Sequence, residues 1–340
     1  MKKKILIASK LLITAAIVWW VIHRLGPNGL HELWAQVRHA RVGWLLAALG
    51  ALFVTAGFGI VRWRMLLRVQ GIHLGGYPAT WITASGMFFN AFLVGATGGD
   101  VVKAWYVAQA APEQKARAVL SIAVDRLIGM AGLLALATVM TLTNLPLLMD
   151  QPQTRPLAWA ILASLPCAGV AIALFSLRKW LGSLPGFSHA WHYMPFKKTL
   201  VQLSESYEEY GARPGVLLAA LGLSVLVHVS VVVVAWFVGL ALGVERLGIG
   251  SFLVYCPLIN AFSAIPISVG GLGLRETAFL FFFSDVGGLA KDQAVALSLV
   301  FWAVSVPVVS LICGVLFLAG KPKSLHRMKS QEWSEPGTKP

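Results

Sequence analysis

Long apolar runs without a single charge are the feature of this sequence that most constrains its fold. Stretches of at least 20 residues without Asp, Glu, Lys or Arg recur along the chain, and one of them, Pro214–Val244, has 31 residues. About 20 apolar residues in a helix cross the hydrocarbon core of a bilayer. Charged residues make up only 12% of the chain, against about 25% in soluble domains. The sequence therefore predicts an all-α polytopic membrane protein and excludes a disordered, collagen-like or disulfide-rich secreted chain.

The apolar runs divide into full spans and two stretches that glycines interrupt. We expect six full membrane spans, at residues 5–23, 42–62, 117–142, 157–177, 215–242 and 294–319. The two interrupted stretches, 78–110 and 250–284, are each either a pair of full spans or a re-entrant hairpin of two short helices. Length favours the hairpin, because the segment Val101–Ala111 is too short to cross a bilayer. The prediction is thus six full spans plus two re-entrant hairpins, eight membrane segments in all.

The distribution of positive charge predicts the orientation. The chain has 28 Lys and Arg and a net charge of +14. With the N-terminus inside, 18 of these cations fall on the cytoplasmic side and six on the far side, the asymmetry typical of inner-membrane proteins. Both termini are therefore expected in the bacterial cytoplasm. Segment 183–213 is expected to be cytoplasmic and interfacial, and the tail 321–340 disordered. The excess charge does not indicate a nucleic-acid partner, because no nucleic-acid-binding module is visible.

Two parts of the chain resemble each other. The tripeptide Asn90-Ala91-Phe92 recurs as Asn260-Ala261-Phe262. Each copy precedes a Gly-Gly pair that is followed four residues later by a cation, Gly98-Gly99 with Lys103 and Gly270-Gly271 with Arg275. Three crossings per half would place the halves in opposite orientations, and paired Gly-interrupted segments in inverted repeats are typical of transporters. A duplication without transport is the alternative. The predicted organisation is a first repeat half at 1–150, a second at 151–320, and the tail.

Ionisable groups in apolar segments define the candidate site, because charge inside a bilayer is costly unless it is paired or functional. A Gly-Gly corner that starts a helix could present N–H groups to an anion, with Lys103 or Arg275 on the first turn. Alternatively, Asp100 caps a helix that begins at Val101, Lys103 pairs with Asp125, and the ion pairs are structural. The candidate substrate-binding residues are Asn90, Gly98, Gly99, Asp100, Lys103, Asp125, Arg126, Asn260, Gly270, Gly271, Gly273, Arg275 and Glu276.

Three motifs resemble the lysylphosphatidylglycerol synthase transmembrane-region family, which is related to the flippase half of multiple peptide resistance factors. They are Gly98-Gly99-Asp100-Val101-Val102-Lys103, Asp125-Arg126-Leu127-Ile128-Gly129, and the stretch from Pro266 to Glu276. Many relatives carry arginine where this chain has Lys103. The resemblance implies a role in moving lipids or lipid-linked sugars, or in helping to make them. The aminoacyl-transferase domain of some relatives is not expected here, so the resemblance does not imply lysyl transfer.

The functional expectation is therefore a lipid transporter or flippase for an anionic or polyprenyl-linked lipid. Its partner would be a lipid headgroup or lipid-linked substrate. A non-transporting scaffold that partners a lipid-modifying enzyme is the first alternative, and a membrane-embedded lipid transferase is the second. No nucleophile–base motif, metal-ligand spacing or ATP-binding Gly-rich loop occurs in the sequence. We therefore expect no catalytic residue, no metal and no cofactor.

Overall fold

A computed structural model describes residues 29–90, 98–150, 152–176, 209–263, 273–320 and 322, and over these ranges all regular secondary structure is helical. Four of the described helices are long and apolar enough to cross a membrane: Val42–Val69, Lys115–Thr143, Pro214–Ala241 and Lys291–Leu318. Each has 28 or 29 residues, which at 1.5 Å per residue is about 42 Å. These findings confirm an all-α protein with membrane-spanning helices.

The helices are numbered here in chain order. The first seven are α1 (Gly29–Arg38), α2 (Val42–Val69), α3 (Gly76–Asn90), α4 (Gly98–Ala110), α5 (Lys115–Thr143), α6 (Leu145–Asp150) and α7 (Arg155–Ser176). The remaining five are α8 (Pro214–Ala241), α9 (Ile249–Ser263), α10 (Leu274–Phe279), α11 (Lys291–Ala303) and α12 (Val309–Leu318). A π-helical segment, Leu280–Val286, extends α10, and another, Val304–Val308, joins α11 to α12 around Pro307.

The long helices lie where the sequence predicts full spans. The predicted span 42–62 is α2, which continues for seven residues beyond the predicted end, to Val69. The spans predicted at 117–142, 215–242 and 294–319 correspond to α5, α8 and the α11–α12 pair, and that predicted at 157–177 coincides with α7. The span predicted at 5–23, segment 183–208 and the tail beyond residue 322 lie outside the described residues. The total number of crossings therefore stays a prediction.

Short helices occupy the two glycine-interrupted stretches. In the first stretch, α3 has 15 residues and α4 has 13, which correspond to about 22 and 20 Å. Neither length reaches across a hydrocarbon core of about 30 Å. In the second stretch, α9 also has 15 residues. The re-entrant topology itself stays a prediction, because residues 91–97 and 264–272, including Gly270 and Gly271, lie outside the described part of the chain.

One expectation about the first corner is wrong. We expected Gly98-Gly99 to form a corner before a helix beginning at Val101, with Asp100 as its cap. The helix α4 instead begins at Gly98, and Asp100 lies within its first turn. Gly99 is therefore a helical residue, and its lack of a side chain serves packing. A Cβ added at Gly99 would lie 2.2 Å from the carbonyl oxygen of Gly86 on α3.

Contacts at the helix termini define two ends of the bundle. At the first end, α2 ends and α5 and α8 begin. Here the Tyr210 hydroxyl, just before α8, donates to the Leu66 carbonyl on α2 (3.1 Å). Arg117 on α5 pairs with Glu209, also just before α8 (3.0 Å). We call this the basic end, because it carries Arg64, Arg68, Lys115, Arg117 and Arg213. At the opposite end, the start of α2 meets the finish of α8, where the Arg41 N–H donates to the Ala241 carbonyl (2.8 Å).

Candidate functional site

A buried ion pair joins three of the long helices near the basic end. Arg62 on α2 donates from Nε to Oδ1 of Asp125 on α5 (2.8 Å) and from Nη1 to Oγ of Ser224 on α8 (2.7 Å). All three residues are buried. Withdrawing two charges from water is costly, and the cost is offset only when the geometry is good and the remaining donors are satisfied. Ser224 supplies the additional acceptor, so Arg62 is held by two partners.

Lys103 on α4 projects onto an aromatic ring. Its ammonium nitrogen lies 3.8 Å from the ring centroid of Trp63 on α2, a cation–π contact. Trp63 is fully buried and donates from Nε1 to Oγ of Ser121 on α5 (3.1 Å), which fixes the ring. Among the described residues, no ion pair joins Lys103 to a carboxylate. Asp125 and Asp100 are its anionic neighbours, so Lys103 lies between two carboxylates that already have arginine partners.

Asp100 on α4 pairs with Arg126 on α5 in a two-pronged geometry. Arg126 donates from Nε to Oδ2 (2.7 Å) and from Nη2 to Oδ1 (2.9 Å). Such bidentate pairs are geometrically specific and comparatively strong. The Arg126 side chain is 54% exposed and that of Asp100 is 21% exposed. This pair therefore lies at the surface of the bundle, whereas the neighbouring Asp125 points inward to Arg62.

We define the first charge cluster as Arg62, Asp100, Lys103, Asp125 and Arg126. It contains three cations and two carboxylates, a formal excess of one positive charge. Neighbouring helical residues point about 100° apart, so we expected Asp125 and Arg126 each to pair with a different residue of the glycine-interrupted stretches. They do take different partners, but the expectation is wrong for Asp125, whose partner Arg62 lies on α2. The expected alternative pair of Lys103 with Asp125 is wrong, since Asp125 is bound by Arg62. Arg126 does pair with a residue of the first glycine-interrupted stretch, as expected.

A second charge cluster, formed by Arg275, Glu276 and Ser298, lies around the start of α10. Glu276 accepts a hydrogen bond from the backbone N–H of Gly273 (2.6 Å), and Arg275 Nη2 donates to its other carboxylate oxygen. Ser298 on α11 contacts both side chains, at 3.3 Å from Arg275 Nε and 3.4 Å from Glu276 Oε1. Gly273 has a φ of +82°, which glycine adopts without strain. The carboxylate thus closes the start of its own helix, and the whole group is internally satisfied.

The two clusters lie toward opposite ends of the bundle. Arg62 is seven residues before the finish of α2, which is at the basic end. Ser298 is seven residues after the start of α11, and Asp292 at that start accepts from Gln36 on α1 (3.3 Å), beside the beginning of α2. No hydrogen bond or ion pair joins the clusters among the described residues. The sequence allows one balanced network of three anions and three cations, formed by Asp100, Lys103, Asp125, Arg126, Arg275 and Glu276. The contacts among the described residues instead divide these groups between two clusters.

The two asparagines of the repeat differ in what they contact. Asn90, the last residue of α3, accepts a hydrogen bond through Oδ1 from the N–H of Gly99 (2.8 Å). This is the helix–helix hydrogen bond that an amide in a membrane segment favours. Asn260 is partly buried on α9, three residues before the described part of that segment ends. Substrate binding by either asparagine stays a prediction.

Sequence reasoning missed Arg62 and Trp63. The sequence predicts that Arg62, the last residue of the span 42–62, is one of the cytoplasmic cations. It also predicts that Trp63 anchors this end of the span at the membrane interface. Both are buried, because α2 continues to Val69 and contacts neighbouring helices along its last two turns. A signal was present: Trp63, Leu66 and Leu67 continue the apolar face at helical spacing. That periodicity indicates a helix longer than its charge-free run.

Comparison with known proteins adds one match. The model of the family described as lysylphosphatidylglycerol synthase TM region matches residues 7–313. This match covers both charge clusters and all the helices described except the last residues of α12. No curated protein matches the chain. The matched length confirms the resemblance inferred from the three motifs, and the chain therefore belongs to the lysylphosphatidylglycerol synthase transmembrane-region family, which implies a membrane protein of lipid metabolism.

Proposed function

We propose that this protein moves an anionic lipid, phosphate-bearing or polyprenyl-linked, between the leaflets of the bacterial inner membrane. The observation that carries the proposal is Lys103, a cation inside the helix bundle that contacts an aromatic ring and pairs with no carboxylate among the described residues. Ionisable residues within a membrane mark substrate pathways by default. The family match supports a lipid as the substrate. Transport, rather than bond-making chemistry, is the proposed activity.

The first charge cluster suits a phosphate better than the second. Its excess positive charge is carried by Lys103, because Arg62 and Arg126 each have a carboxylate partner. A lysine ammonium binds phosphate as a point charge with three rotatable donors. In the second cluster Arg275 already donates to Glu276 and Ser298. We therefore assign headgroup binding to Lys103 and a locking role to Arg275, in place of two equivalent phosphate sites.

The placement of the clusters suits alternating access. We propose that the stretches 78–110 and 250–284 are re-entrant hairpins of an inverted repeat, each gating one side of a central pathway. One cluster near each end of the bundle agrees with this arrangement. The basic end would face the cytoplasm, in accordance with the positive-inside rule, and both termini would lie there. In this orientation the lipid headgroup reaches Lys103 from the cytoplasmic leaflet.

Leaflet exchange in proteoliposomes tests the proposal. Fluorescent phosphatidylglycerol and phosphatidylcholine would be followed by dithionite quenching, with rates normalised to folded protein. A charge-assisted hydrogen bond contributes about 1.5–3 kcal/mol, so Lys103→Met should slow phosphatidylglycerol exchange roughly 10-fold or more, while Lys103→Arg retains most of it. The control is Lys291→Met, which removes an exposed lysine at the opposite end.

Two outcomes would contradict the proposal, and they differ in meaning. If the wild-type protein exchanged no anionic lipid, transport would be wrong and a scaffold for a lipid-modifying enzyme would be favoured. If wild-type exchange were robust but equal in Lys103→Met, the protein would be a transporter whose headgroup site lies elsewhere.

A further inference from the structure

The Asp100–Arg126 pair is unusual because it lies among exposed apolar side chains. On α4, Val101 is 67% exposed and Trp105 is 65% exposed. On α5, Met130 is 56% exposed, one helical turn from Arg126. In a membrane protein, apolar side chains exposed on the flank of a spanning helix contact acyl chains. A bidentate ion pair in such apolar surroundings is costly if its only role is structural.

The pair is also continuous with the interior of the first charge cluster. Asp100 and Lys103 are three residues apart on α4 and so share one face of that helix. Arg126 and Asp125 are adjacent on α5, one directed to the surface and one to the interior. Lys103 interacts electrostatically with both carboxylates and both arginines of the first charge cluster. It is therefore a common neighbour of the exposed Arg126 and the buried Arg62.

We propose that the Asp100–Arg126 pair is a lateral latch through which an anionic phospholipid reaches Lys103. The phosphodiester takes the place of the Asp100 carboxylate on the Arg126 guanidinium, since each offers two oxygens that accept bidentate donation from the planar guanidinium. The displaced Asp100 then faces Lys103, the nearest cation without an ion-pair partner among the described residues. The acyl chains stay against Val101, Trp105 and Met130. This inference rests on the proposed function and specifies its access route.

The depth of the pair fits a lipid that leaves its leaflet. Arg126 is 11 residues beyond the start of α5 at Lys115, which is about 16 Å along the helix axis. A helix of about 42 Å exceeds the hydrocarbon core of about 30 Å by roughly 6 Å at each end. Arg126 thus lies about 10 Å below the headgroup boundary. A phosphate that contacts it has left the leaflet surface without losing acyl-chain contact with the bilayer.

The latch makes two substitutions act in opposite directions. Asp100→Asn removes the competing carboxylate and should tighten binding of phosphatidylglycerol by about two- to fivefold, the range of an exposed ion pair. Arg126→Gln removes the guanidinium that binds the phosphodiester, and it should weaken binding of phosphatidylglycerol by a similar factor or more. Binding would be measured by native mass spectrometry of the full chain in detergent, titrated with phosphatidylglycerol or with phosphatidylcholine. The matched control is Arg41→Gln, which breaks the exposed Arg41–Glu245 pair at the opposite end.

The opposite signs keep the test decisive. A gain of binding in Asp100→Asn cannot come from a protein that fails to fold. If both substitutions weakened binding, the pair would be structural and the latch wrong. Equal effects on phosphatidylcholine, or displacement of the lipid by free glycerol phosphate at the same concentration, would also overturn it. Normal leaflet exchange by Arg126→Gln would refute the latch while leaving the transport function intact.

Discussion

The buried Arg62–Asp125 pair should be strongly coupled, and a double-mutant cycle measures this coupling. Arg62→Met leaves Asp125 buried without its cation, because the Nε–Oδ1 bond of 2.8 Å is lost. Removing one partner of a buried pair typically costs 3–5 kcal/mol, or about 4 kcal/mol here. Asp125→Asn should cost as much or more, since it leaves three cations of the first charge cluster facing one carboxylate. The double variant should cost only about 2–3 kcal/mol, since neither member of the pair is left buried without its counter-charge.

The interaction energy from this cycle should therefore be about 5–6 kcal/mol. The measurement is the free energy of unfolding in mixed micelles titrated with SDS and followed by circular dichroism. An internal control is the Arg41–Glu245 pair, which has the same length of 2.8 Å but side chains 58% and 61% exposed. Exposed pairs contribute about 0.2–1 kcal/mol. If the two cycles gave equal coupling energies, burial would not be what strengthens the Arg62–Asp125 pair, and the reasoning would be refuted.

Two further predictions concern close packing and capping. Gly132→Ala should lower the free energy of unfolding by about 1–3 kcal/mol, because the added Cβ would lie 2.4 Å from Cβ of Ser224, whereas Gly222→Ala, with nothing within 4 Å, should be neutral or stabilising. The contrary result would be equal effects at both glycines. Asn90→Ala should lower the free energy of unfolding by about 1 kcal/mol, because the Gly99 N–H loses its acceptor. Amide hydrogen exchange at the start of α4 should then become faster. Unchanged protection of these amides would disprove the capping role of Asn90.

The positions of the long helices could be predicted from local pattern alone. A bilayer requires every backbone N–H and C=O to be satisfied within its own segment, so a charge-free run of about 20 residues predicts one helix. The spans at 117–142 and 215–242 match α5 and α8 to within two residues. The error at α2 arose at its end, because Arg62 interrupts the apolar run while the helix continues to Val69. A charge marks the membrane boundary only when it reaches water.

The sequence predicted which charged residues lie near one another better than it predicted their contacts. Asp100, Lys103, Asp125 and Arg126 do lie together, because their apolar surroundings made any solvent-exposed role costly. The partner of Asp125 was not predictable, since Arg62 is 63 residues away in sequence. Which helices are neighbours depends on shape, such as the approach of α5 to α8 at Gly132. No local motif carries that information.

The sequence by itself determined that this chain is a helical membrane protein with charged groups inside apolar segments, because burial of apolar surface and internal backbone hydrogen bonding act within each helix. Only the tertiary structure decided how those charges are paired. It separated them into a first cluster, in which Lys103 has no carboxylate partner among the described residues, and a second cluster, in which Glu276 binds Arg275 and the start of its own helix. The physical reason is that the energy of an ion pair weakens with distance and strengthens with burial, and distance and burial are properties of packed helices rather than of sequence spacing.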